Sequence, residues 1–211
     1  NDPPVLSDIS PVTFNEDESI LLDLSASDVD EDVLTFSILG GTNIFASLTD
    51  SQVSFTSSLD FNGSESFTVS VTDAEYTDSQ IITVTATPVN DAPVLDVISD
   101  QNMNEGGTKI LVLSASDIDE DALTYTITEG TNILPSIDGS TITFSVIDDD
   151  WNGSEAFTAS VTDGEYFSDQ TFTVTVNGIN DPPVLSDISP VTFNEDESIL
   201  LDLSASDVDE D

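Results

Sequence analysis

Apolar and polar residues alternate along most of this chain. In the run at 67–73, Phe67, Val69 and Val71 share one face while Thr68, Ser70 and Thr72 share the other. The run at 80–86 repeats the pattern with Ile82, Val84 and Ala86. A period of two is the signature of a strand with one face in a core. Upstream, Ile20, Leu22, Leu24 and Ala26 are expected inward and Asp23 outward. Either Val33 or Leu34 begins a strand continued by Phe36 and Ile38, and Val53 and Phe55 mark another. Val, Ile, Thr and Phe suit a half-buried pleated surface. Gly40-Gly41, Asp50-Ser51, Asn62-Gly63 and Asp73-Ala74 supply turn chemistry between the runs. No stretch sustains a helical period.

The same order of elements returns further on. Phe157, Ala159 and Val161 align with the first run, Phe172, Val174 and Val176 with the second. Leu111, Leu113 and Ala115, then Leu123, Tyr125 and Ile127, complete the correspondence, and Trp151 takes the place of Phe61 as an expected core ring. The motif NDPPVL at 1–6 returns as NDAPVL at 90–95 and as NDPPVL at 180–185. The repeats are thus 89 and 90 residues long, with the extra residue near Asp148–Asp150. About seven short strands per repeat is the pattern of a Greek-key β-sandwich. The expectation is therefore an all-β chain of tandem sandwich domains in an elongated array: 1–89, 90–179 and a partial third at 180–211. Residues 180–211 copy 1–32 letter for letter, which suggests a longer parent with a two-domain super-repeat. A segment of this length is below the size, roughly 40 residues, at which a domain folds unaided. Its completion is expected from further chain or from another copy by strand addition.

Charge changes the picture most. The 211 residues carry 43 Asp and Glu, one basic side chain (Lys109), no His and no Cys, for a net charge of −42. Such a surface repels nucleic acid and anionic membrane, which need Lys and Arg. No apolar run is long enough to span a bilayer. Without cysteine there is neither a disulfide nor a thiolate metal site. Residue 1 falls mid-pattern, so any targeting segment is expected upstream. The acids are not evenly scattered. Runs such as Asp28-Val29-Asp30-Glu31-Asp32 recur beside the Asn-Asp motifs. Like charges within about 4–6 Å repel, and calcium, a hard cation taking about six to eight oxygens, would neutralise them. Magnesium, which keeps its waters, fits less well. The plain alternative is a solvated acidic loop.

Four pieces stand in a fixed order: NEDES at 15–19, SASDVDED at 25–32, LDFNGSESFTVSVTD at 59–73 and the NDAPVL linker at 90–95. In this order they resemble bacterial cadherin-like tandem repeats. The resemblance implies calcium between successive repeats. For the first junction it implies Glu16 and Asp60 from one repeat, Asn90 and Asp91 from the linker, and Asp117, Asp119 and Asp163 from the next. For the second it implies Glu105, Asp150, Asn180, Asp181, Asp207 and Asp209. Ahead of the first repeat it implies Asn1, Asp2, Asp28, Asp30 and Asp73. The chain departs from the family where Pro88 and Gly178 replace a linker acid, and where Asn62 and Asn152 replace a Glu. Fewer ions per junction than the family's full set are therefore expected, with Asp32 and Asp121 as replacement ligands.

The function this favours is a segment of a calcium-stiffened extracellular adhesin stalk or surface fibre. The alternative is a carbohydrate-binding module with Trp151, Tyr76 and Tyr166 as its only aromatic candidates. An enzyme is disfavoured, since imidazole, thiol and guanidinium chemistry are all absent. Asn62-Gly63-Ser64 and Asn152-Gly153-Ser154 match a glycosylation pattern, but Asn-Gly turns before strands explain them as well. Lys109 is expected to snorkel at a strand start.

Overall fold

The computed structural model describes residues 1–209. Glu210 and Asp211, the last two of the third repeat expected at 180–211, lie outside it. The chain divides into two units, Asn1–Asn90 and Asp91–Asp211.

In the first unit, alternation resolves into two facing sheets. β1 (Val5–Leu6) pairs with β4 (Ala26–Ser27). One sheet has β2 (Val12–Asn15), β9 (Thr77–Thr87), β8 (Gly63–Thr72) and β5 (Thr35–Gly40) in that spatial order. The other has β3 (Ser19–Asp23), β7 (Gln52–Ser57) and β6 (Ile44–Thr49). All pairings are antiparallel except β2 with β9. The core lies between the sheets: Val53, Phe55, Val69, Val71 and Val84 are almost wholly buried, and Phe55 meets Phe67 edge to face. Leu34, not Val33, enters this core; Val33 is exposed. The run expected as one strand through Ala26 is broken after Asp23, because Leu24 donates its N–H to Ser51 and the chain then passes to β1. The turn expected at Asn62-Gly63 lies instead at Leu59 and Asp60, where the Phe61 N–H reaches the Ser58 carbonyl, and Gly63 opens β8 at φ +151° against the Phe61 ring.

The second unit repeats this plan. β10 (Val94–Leu95) pairs with β13 (Ala115–Ser116). β11 (Gln101–Asn104), β18 (Phe167–Asn177), β17 (Gly153–Thr162) and β14 (Thr124–Ile127) form one sheet; β12 (Thr108–Val112), β16 (Thr141–Val146) and β15 (Ile133–Asp138) form the other. Phe144, Phe157 and Phe172 fill the centre. Trp151 packs half-buried against this core. Lys109 sits on β12 opposite Phe144, half-buried, in the register position that Ile20 holds in the first unit.

Residues 180–209 belong to the second unit. There β19 (Val184–Leu185) pairs with β20 (Ala205–Ser206). The rest of this segment forms no strand among the described residues, although its sequence is that of β2 and β3.

Candidate metal centres

Each sandwich gathers its acids in two places. The first is built on the Asp-x-Asp that follows the short fourth strand. In the first unit Asp28 Oδ1 accepts the N–H of Asp30 at 2.9 Å and of Asp32 at 3.4 Å. This aspartate turn holds Glu31 in the left-handed region at φ +59°. Asp30 Oδ2 then accepts the N–H of Asp2 at 2.6 Å. Asn1 donates to Asp73 Oδ2 at 3.0 Å and to Glu75 at 3.3 Å, while Asp73 Oδ1 takes the N–H groups of Glu75 and Tyr76. These hydrogen bonds, with that of Tyr76 foremost, hold the Asp73 carboxyl below its ordinary value. The five residues expected from the sequence, Asn1, Asp2, Asp28, Asp30 and Asp73, therefore come together as two hydrogen-bonded groups joined by the Asn1–Asp2 peptide bond. Asp28, Asp30 and Asp32 each offer a carboxylate oxygen within 4.8 Å of the others. Asp28 Oδ2 is buried without a hydrogen-bond partner.

The leading cluster of the second repeat is the same construction. Asp117 Oδ1 accepts from Asp119 at 3.0 Å and Asp121 at 3.3 Å, with Glu120 at φ +62°. Asp119 accepts from the N–H of Asp91 at 2.8 Å. Asp163 accepts from Glu165 and Tyr166. It forms a third time where Asp181 N–H reaches Asp209 at 2.6 Å and Asp209 N–H reaches Asp207 at 2.9 Å. Asn180 turns its amide onto the Asp181 carbonyl at 3.0 Å.

The second place is the end of the strand before the NEDES turn. Glu16 is only 2% exposed. One carboxylate oxygen accepts the Val89 N–H at 2.9 Å; the other, Oε2, is buried with no hydrogen-bond partner. Glu105 matches it at 9% exposure, with one oxygen on the Ile179 N–H at 2.5 Å and Oε2 again unpartnered. Burying a carboxylate without full compensation costs several kcal/mol. The chain's single ammonium cannot supply that compensation twice.

Around Glu16 stand Asp17 (φ +62°) and Asp60 (φ +54°), with Asp17 Oδ1 accepting the Asp60 N–H at 3.4 Å. Around Glu105 the arrangement differs. Gly106 (φ +64°) replaces Asp17, and a Cβ there would lie 3.7 Å from the Asp149 carbonyl oxygen. The longer loop Asp148–Asp150 passes at ordinary contact distance. Asp150 remains exposed, yet its carboxyl is pushed up by partial desolvation and by the charges of Asp181, Asp148, Glu105 and Asp149. Within the second unit, therefore, Asp150, Glu105 and Asp181 lie close enough to repel. Their oxygens are hard donors of the kind a calcium ion takes.

Asp17, Glu75, Asp148 and Asp149 were not among the residues expected from the resemblance. Their signal is local: each stands within two positions of a residue that was. Trp151 lies over Gly153, where a Cβ would come within 2.6 Å of the indole, so its role is packing. Among the described residues no helix is long and apolar enough to cross a membrane.

Comparison with known proteins agrees with this architecture. A model of the bacterial Ig domain matches residues 1–85 and again 90–177. The chain is 30% identical over 129 residues to a protein named Chitinase A from Pseudoalteromonas piscicida, covering 59% of this chain and 16% of that protein. It therefore spans less than a fifth of that relative. Among solved structures, human protocadherin-24 EC1-2 superposes with a TM-score of 0.55 at 18% identity, over 84% of this chain and 100% of that one. A second crystal form of the same protein gives 0.52 at 18% identity, over 85% and 99%. The identity is low and the likeness is one of fold. With the family model matched twice, the chain belongs to the bacterial Ig domain family, as tandem cadherin-like β-sandwich repeats.

Proposed function

We propose that this chain is a structural segment of an extracellular adhesin stalk or surface fibre whose repeats are stiffened by calcium at their junctions. The observation that carries the reading is the pair of buried glutamates, Glu16 and Glu105, each with an orphaned oxygen in a chain with one ammonium group. A buried polar atom without a partner calls for an ion or a water, and a carboxylate among carboxylates calls for a cation.

In this reading Glu16, Asp60 and Asn90 with Asp91, Asp117, Asp119 and Asp163 serve the first junction. Glu105, Asp150, Asn180, Asp181, Asp207 and Asp209 serve the second, and Asn1, Asp2, Asp28, Asp30 and Asp73 serve the junction ahead of the first repeat. Calcium, when bound, supplies the positive charge these groups lack. The hydrogen-bonded aspartate turns hold the Asp28, Asp117 and Asp207 carboxylates in place beforehand, so little ordering remains to be done on binding. An ion held only by the folded, aligned repeats stabilises that state by mass action.

Extracellular calcium modules bind at about 0.1–1 mM. At roughly 10 mM calcium each site would then contribute about 1.4–2.7 kcal/mol. Thermal melting in calcium and in excess chelator tests this. The expected result is a melting temperature higher in calcium by on the order of 5–20 °C. Equal melting temperatures would sink the reading.

A second reading has one observation in its favour, the relative named Chitinase A. Here the chain would be a carbohydrate-binding module of a secreted polysaccharide-active protein. Exposed rings among the described residues are Phe45, Tyr76, Tyr166, Phe167 and Phe193; Trp151 is packed. Retention on insoluble chitin that is lost in Tyr166→Ala would support it. Passage through the column unretarded would remove it.

A further inference from the structure

Strands β6 and β15 hold the same place in the two repeats, each at an outer edge of its three-stranded sheet. Ile44 and Ile133 begin them, buried in their cores, and Ala46 and Pro135 stand opposite Phe55 and Phe144. Among the described residues neither strand has another on its free side. In an antiparallel ladder, successive residues alternate between bonding the neighbouring strand and turning their N–H and C=O to the other side. Ser58 sets the phase for β6, since its N–H reaches the Asn43 carbonyl at 2.7 Å. Phe45, Ser47 and Thr49 therefore bond to β7, while Ala46 and Leu48 turn their main-chain groups to the open edge. Ile147 and Asn132 set the same phase for β15, at 2.9 Å. There the outward position matching Ala46 is Pro135, which has no N–H to offer, and Asp138 stands in place of Thr49. Proline and charge are the usual guards of an exposed strand edge. The second repeat carries both on this strand, and the first carries neither.

We propose that β6 is the docking edge for a second copy of this chain, the two β6 strands pairing antiparallel about a two-fold axis at Ser47. In that register Ala46 and Leu48 of one copy exchange main-chain hydrogen bonds with Leu48 and Ala46 of the other, and the two three-stranded sheets join into one. The contact is isologous, so it closes on a pair. The side chains suit it: Phe45, which is 52% exposed, faces Thr49 of the second copy, and Ser47 faces its own counterpart. Charge selects this edge as well. Neither β6 nor the neighbouring edge strand β5 carries a charged residue, in a chain of net charge −42. A second copy, equally acidic, approaches at least cost where both surfaces are neutral. A cleft lined by Leu34, Thr35, Phe36, Leu48, Asp50 and Ser51 leaves the end of β6 open beside β5. This inference goes beyond the calcium reading, since it joins chains side by side through main-chain bonds that need no ion.

Sedimentation equilibrium of the 211-residue chain at physiological salt tests this. The mass should rise with concentration from one chain toward two, with a dissociation constant on the order of 0.1 mM, as suits a small interface. Ala46→Pro copies Pro135 and removes an outward N–H that serves no bond within the sheet. It should weaken the association by about 10-fold or more and leave the melting temperature as it is. Ser47→Asp keeps every main-chain group but sets two carboxylates against each other across the axis, and should weaken it as much. Ser136→Asp, at the matching exposed position of β15, should change nothing. Should Ala46→Pro fail to fold, Ser47→Asp decides alone. Variants that fold and associate as the parent does would overturn the proposal and place the contact elsewhere, such as on the exposed apolar residues of 180–209. A single-chain mass up to about 1 mM would overturn it too, with charge alone keeping the edges apart. Neither result bears on melting in calcium against chelator, so the two proposals fail separately.

Discussion

Glu16 and Glu105 are the residues on which the account turns, and each predicts a change of sign. With no cation bound, the buried carboxylate is a cost, so Glu16→Gln should raise stability in chelator by about 1–3 kcal/mol. In calcium the same substitution removes a proposed ligand, so the calcium-induced gain in melting temperature should fall by more than half. Melting curves of Glu16→Gln and Glu105→Gln under both conditions check this; a variant less stable than the parent in both would assign these glutamates to packing alone. A different pair of carboxylates serves the fold. Burial would push the Glu65 carboxyl up, but the N–H groups of Asn43, Thr42 and Ile44 and the Asn43 amide outweigh it and hold the group below its ordinary value. Glu155 does the same with Asn132, Thr131 and Ile133. A folded-state value below the unfolded one gives stability that is complete above the unfolded value, near 4.5, and is lost as pH falls through the folded one. Acid titration of stability should therefore be less steep below that pH in Glu65→Gln than in the parent, while stability at neutral pH falls. An unchanged acid limb would show that the loop at Asn43 does not depend on this carboxylate.

At the scale of elements, a strand forms only where a partner strand lies beside it. Residues 1–32 and 180–211 are identical, yet Leu6, Phe14 and Leu24 are 8%, 6% and 5% exposed while Leu185, Phe193 and Leu203 are 57%, 59% and 62% exposed. The strands β2 and β3 exist because β9 and β7 lie beside them; the third copy has the same alternation without those partners. Among its described residues only the short pair β19–β20 forms, and the Asp207 turn next to it forms as well, since its hydrogen bonds span few residues. This marks what could be read from the sequence. Strand faces at Phe67, Val84 or Phe172 and the turn at Asp73-Ala74 are local patterns, and both were legible. The break between β3 and β4, and the choice of Leu34 over Val33, depend on contacts with Ser51 and with β1 and were not. The exchange of Asp17 for the Asp148–Asp150 loop showed in the sequence only as one extra residue. The glycines that open β8 and β17 give a further test. Gly153 sits at φ +154° under the Trp151 ring, so Gly153→Val should destabilise the second repeat by about 1–3 kcal/mol. A chemical denaturation midpoint equal to the parent's would contradict the packing role given to Trp151.

For the whole molecule, the charge of −42 raises a rival explanation. A merely acidic, salt-adapted surface is relieved by any electrolyte through screening, whose range is about 10 Å at 0.1 M. Calcium bound as proposed would act through the named carboxylates and should not be replaceable by sodium. The measurement that separates the two is small-angle X-ray scattering of this chain in chelator, titrated once with calcium and once with sodium chloride at matched ionic strength. The account predicts that calcium alone narrows the distribution of interatomic distances to that of one ordered arrangement, with a saturable mid-point, and that sodium chloride leaves a broad, flexible profile. Superimposable profiles in the two titrations would contradict it.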